Sequence, residues 1–159
     1  MPVSTINRGD DHDSIFYLFC ARGSLRYGEA LEGEAKQIFN HVGADAMYRH
    51  AIDYFRGADQ MCQLFDNTYE KSPNPLAHWP GEPHDLAHDA DMVEFLEEFR
   101  LVGLAALSAI QRCQKARTRI GEGVMVKGVS YDQFQAESNI RYTALQIKTQ
   151  NVSFWAGLS

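Results

Sequence analysis

Apolar residues recur along most of this chain at the three- and four-residue spacing of one helical face. A first stripe runs Ile15, Leu18/Phe19, Arg22, Leu25, Leu31, Ala35, Ile38/Phe39 and Val42. Asp13 and Ser14 precede it as caps, and Gly43 follows as a stop. Gly23, Gly28 and Gly33 interrupt this stretch, and each costs about 1 kcal/mol inside a helix relative to alanine. A strand over 15–20 with a helix from 29 is therefore an alternative for this segment. The second stripe, Met47, Ala51, Tyr54/Phe55, Ala58, Met61/Cys62, Phe65 and Tyr69, is cleaner. Periodicity then stops. Pro73, Pro75, Pro80 and Pro83 remove backbone donors and push their predecessors out of the helical region, so 72–83 is expected to be a connection.

The pattern resumes at Met92, Phe95/Leu96, Phe99, Val102, Ala106, Ala109/Ile110, Cys113, Ala116 and Ile120, with Gly121-Glu-Gly123 as the expected stop. Ser130-x-x-Gln133 is a capping signature, and the last stripe is Tyr131, Phe134, Ser138, Tyr142, Leu145, Thr149, Val152 and Trp155. Short connections make the first pair and the last pair of helices antiparallel neighbours. The expected fold is all-α, a four-helix, mostly up-and-down bundle with a long Pro-rich connection between helices 2 and 3. Residues 1–13 read as a tail and 14–159 as one domain, with helices at 14–42, 45–70, 84–120 and 130–156.

Composition narrows the function. With 45% hydrophobic and 23% charged residues among 159, the chain reads as globular. Its longest apolar run, Ile15–Cys20, is far short of a membrane span, and nothing at the N-terminus resembles a secretory signal. Cys20, Cys62 and Cys113 are odd in number and lack C-x-x-C spacing, which reads as free thiols in the cytoplasm. A net charge of −6 weighs against nucleic acid as a partner.

The stretch HWPGEPHDLAHD at 78–89 concentrates chemistry. His84 and His88 are i and i+4, so a helix starting near Pro83 would point both imidazoles the same way. H-D-L-A-H also resembles H-E-x-x-H, with Asp85 one methylene short at the acid position. No histidine follows His88, and Glu94, Glu97 and Glu98 fall too close to be a downstream third ligand. With His50 on the second helix the histidines number three. In this the chain is loosely similar to the DinB-like family, four-helix bundles that gather three histidines on a metal. The resemblance implies a metal-dependent enzyme with a divalent cation on His50, His84 and His88. In that family the H-x-x-x-H pair comes later in the chain, inside a helix. Without the resemblance, Pro83 suits a first helical position, and Asp85, Asp89 and Asp91 complement the positive end of the helix dipole. On that reading the loop is structural and the chain holds no cofactor. Paired Glu-x-x-His ligands of di-iron bundles and a Gly-rich phosphate loop are both missing.

Two further features ask for a partner. Residues 82–98 contain seven acids and no base, whereas 100–127 contain six bases and one acid. Dipole matching rewards a few such charges, and opposed ends also suit packing of identical subunits. An acidic inhibitor that mimics nucleic acid is another use for 82–98. The fourth helix is nearly uncharged, yet the chain closes on Phe154, Trp155 and Leu158, residue types that dominate interfaces. The sequence is therefore read as a non-enzymatic bundle subunit of a homo-oligomer or larger particle. Its partner is itself or another protein, met through Phe154, Trp155, Leu158, Glu94, Glu97, Glu98, Arg112, Arg117 and Arg119.

Overall fold

A computed structural model describes the backbone of residues 2–70 and 86–152 and the side chains of 16–65 and 93–148. It contains α1 (Pro2–Ala35), α2 (His41–Glu70), α3 (Leu86–Val126) and α4 (Tyr131–Val152), with no strand among the described residues. The Pro-rich connection lies outside them.

Helix α1 begins at Pro2, inside the segment expected to be a tail, and it runs as helix through 15–20 rather than as a strand. Its glycines do not break it, and Gly28 serves packing. A Cβ on Gly28 would stand 2.7 Å from the Phe55 ring, so the absent side chain is what lets α1 and α2 approach. The helix ends seven residues earlier than the apolar stripe predicts. Its last turn tightens, with Gln37 N–H donating to Glu34 O at 3.0 Å and Ile38 N–H to Ala35 O at 3.2 Å. Asn40 then caps α2, its Oδ1 accepting from Val42 N–H at 2.9 Å and Gly43 N–H at 3.3 Å. Gly43, expected as a stop, therefore sits in the first turn of α2.

Helix α3 likewise runs through Gly121 and Gly123. It ends where Gly128 adopts φ +77°, with Gly128 N–H on Met125 O at 3.1 Å and Val129 N–H on Val124 O at 3.3 Å. This pair of bonds is a Schellman cap. A Cβ on Gly121 would stand 3.4 Å from the Tyr131 ring, so this is a packing position rather than a terminus. Helix α4 follows Ser130, whose carbonyl accepts from Phe134 N–H at 2.9 Å.

All three other helices pack on α2. Against α1 it is antiparallel, with Leu18 grouped with Cys62 and Phe65 at one end and Leu31 and Ala35 with Met47 and Ala51 at the other; Ser24 Oγ donates to Tyr54 O at 2.8 Å between them. Against α3 it is antiparallel too, with Asp45 level with Arg117 and Cys62 level with Phe99. One core cluster gathers Leu31, Met47, Ile52, Phe55 and Cys113; the other gathers Leu18, Cys62, Phe65, Phe99 and Val102. Leu25 packs against both. In the second cluster Phe65 and Phe99 stack at 3.9 Å with Phe95 edge-on to each. Helix α4 is the least embedded. Among its described side chains only Phe134 and Ser138 are buried.

Candidate functional site

Helix α3 is apolar on two opposite faces. Phe99, Val102, Ala106, Ala109 and Cys113 follow helical spacing and are buried against α1 and α2. At 100° per residue, the residues diametrically opposite are centred on Leu104. There Val93, Leu101, Leu104 and Leu107 stand 66, 53, 52 and 47% exposed. Both faces are apolar; among the described residues only one has a neighbour. On α1, Phe16 and Phe19 are also exposed, about two turns and one turn before Arg22, whose guanidinium reaches Glu98 at 2.7 Å. They widen the apolar surface at the acidic end of α3.

Charge brackets this face. Residues 93–98 hold Glu94, Glu97 and Glu98 with no base, and 111–119 hold Arg112, Lys115, Arg117 and Arg119 with no acid. Glu97 accepts from Arg100 Nε at 2.9 Å, and this contact holds its carboxyl below the usual carboxylate range. Arg112 and Arg117 turn partly inward. Arg112 grips the buried Glu32 with two nitrogens, each at 3.0 Å, and Arg117 Nε donates to Asp45 at 2.8 Å. Asp45 is 1% exposed, and Arg117 gives this buried carboxylate its ion-pair partner. Lys115 and Arg119 stay at the exposed surface.

The histidines are differently placed. His50 is buried on α2, edge-on to Tyr54 at 5.1 Å and to Tyr142 of α4 at 5.6 Å. Burial pushes its imidazole below the usual histidine range. His84 lies outside the described residues, as does the side chain of His88. The α2–α3 register sets His50 level with the region of Arg112, and residue 88 lies 24 positions earlier on α3. A rise of 1.5 Å per residue makes that about 36 Å along the helix. Among the described residues no group of three or more His, Cys, Asp or Glu side chains is placed to hold a metal. Phe154, Trp155 and Leu158 lie outside the described residues.

The outer leucines escaped the sequence analysis because the eye follows one stripe per helix. Their signal was available: Leu101, Leu104 and Leu107 recur every three residues off the stripe that makes the core. Burial also pushes the Cys113 thiol up to about 12, so it is an inert packing group rather than a nucleophile. No helix among the described residues is long and apolar enough to cross a membrane. No protein-family model, no curated protein and no solved structure matches this chain.

Proposed function

We propose that this chain is a non-enzymatic helical-bundle protein whose work is self-association, with the outer face of α3 as the contact surface. The observation that carries this reading is the exposed row Val93, Leu101, Leu104 and Leu107 lying opposite a fully packed face of the same helix. The occupant is a second copy. If two α3 helices pair antiparallel about Leu104, residue i of one meets residue 208 − i of the other. Glu94 and Glu97 then come level with Gln111–Gln114 of the partner helix, inside its basic half, and Val93 with Lys115. Acidic end meets basic end twice, once on each side of the twofold axis, as an isologous contact requires. A parallel pair would instead set acid against acid.

Sedimentation of the full chain over a range of concentrations tests this. The wild type should pass from monomer to dimer within the micromolar range, and its melting temperature should rise with concentration. Leu104→Glu, at an exposed position, should leave helicity intact and abolish the dimer. Joint reversal of Glu94 and Glu97 to lysine should weaken it, the more so at low salt. A wild type that stays monomeric at all concentrations, or a dimer that ignores Leu104→Glu, overturns the proposal.

A further inference from the structure

The gap between α2, α3 and α4 is lined by Arg49, Asp53, Arg56, Gln114, Arg117 and Tyr142, with Ile52 at its floor. We propose that this cleft binds a tetrahedral oxyanion of the phosphate class. Arg49, Asp53 and Arg56 are i, i+4 and i+7 on α2, so they share one face of that helix. Arg117 enters from α3. Three guanidinium groups thus converge on a space that holds a single carboxylate, and burial pushes the Asp53 carboxyl up while the same three arginines pull it down. Two of the guanidiniums are anchored beforehand. Arg49 donates Nη1 to Asn139 Oδ1 and lies 5.2 Å over the Tyr142 ring. Arg117 is held through Nε by Asp45. Each anchor occupies one nitrogen and leaves the other edge of a planar fork suited to two oxygens of one anion. Arg56 makes no hydrogen bond or ion pair among the described residues that would compete.

The cleft, about 170 Å³, is large enough for an ion of phosphate size and opens to solvent. The ligand is the free ion, or the terminal phosphate of a monoester whose remainder projects outside.

Calorimetric titration with inorganic phosphate, at constant ionic strength, reads this directly. One saturable site per chain is expected. Arg56→Gln should weaken it about tenfold or more, the effect of losing one charge-assisted contact, and leave the melting temperature in phosphate-free buffer unchanged. Arg49→Lys, which keeps the charge and loses the fork, should weaken it too. Arg26→Gln, on the exposed face of α1, should not. Glycerol 3-phosphate run in parallel identifies the source: equal or tighter binding assigns a monoester, weaker binding the free ion. Absence of saturable binding at millimolar phosphate, an equal response to chloride, or indifference to Arg56→Gln overturns the proposal. The site is distinct from the outer face of α3, so monomeric protein tests it equally well.

Discussion

Glycine has opposite meanings at two positions of one helix. At Gly28 a methyl group would meet the Phe55 ring at 2.7 Å, and Phe55 is fully buried, so the clash falls inside the core. Gly28→Ala should therefore destabilise by about 1–3 kcal/mol, as overpacking does. At Gly33 nothing lies within 4 Å, and Gly33→Ala should stabilise by about 0.5–1 kcal/mol through the loss of unfolded-state freedom. Urea unfolding of the two variants beside the wild type checks both signs at once. His50 makes a pH-dependent case. Its imidazole is held neutral by burial, while in the unfolded chain a histidine titrates near about 6.5. Above that pH the two states bind protons alike. As pH falls below it the unfolded chain takes up the proton first, and stability drops until the lower, folded value is passed. Melting curves between about pH 7.5 and about pH 5.5 should show a decline that His50→Phe reduces.

Helix ends were settled by capping chemistry rather than by glycine alone. Gly121 and Gly123 look like a stop, but both take up helical backbone; the terminus waits for Gly128, whose positive φ closes the Schellman bonds. Gly128→Ala should cost about 1–2 kcal/mol, the penalty of a side chain in the left-handed region, read by the same unfolding assay. Helix α4 differs from the others in how little it buries. Its contact with α2 rests on Phe134, on Ser138, and on the polar meeting of Arg49, Asn139, His50 and Tyr142, while Ile140 and Ile147 face outward. Ser138 Oγ is buried without a hydrogen-bond partner among the described residues, which subtracts from the stability of the contact. Amide exchange should accordingly be fastest for α4 among the interhelical segments and slowest for residues 46–58 of α2, measured as protection residue by residue. Equal protection across the two helices would contradict this ordering.

At the level of the whole molecule, α2 is the hub. Buried side chains occur on several sides of it between Ala44 and Ile52, because α1, α3 and α4 each claim a sector. The two core clusters stack along its length, and the pairs Glu32–Arg112 and Asp45–Arg117, each with a buried carboxylate, tie α1 and α2 to α3. Removing one partner of such a pair strands a carboxylate in the interior. Arg117→Met should therefore destabilise by about 3–5 kcal/mol, a loss of global stability that calorimetry would register. Helix α3 has one side committed to this hub and the other to the surface. The proposed self-association rests on that asymmetry, which belongs to the assembled helices and not to any one of them.

Periodicity pointed to helices, with 15–20 left open to a strand, and to much of the core: Ala51, Phe55, Cys62, Phe65, Phe99, Val102 and Cys113 were legible because a helix must bury one face, whereas Phe39 on the first stripe is 99% exposed. It also showed the acidic and basic ends of α3, since charge is read directly from residue type. It could not show where glycines end helices, because that depends on φ and on what packs above the missing side chain. Leu101, Leu104 and Leu107 lie off the stripe that holds Val102, but that they stand about half exposed follows from where α1 and α2 pack, which only the tertiary structure shows. The arginine cleft has the same origin. Arg49, Arg56 and Arg117 lie up to 68 residues apart in sequence, as 117 − 49 gives, and a chemical site arises from them only when α2, α3 and α4 meet.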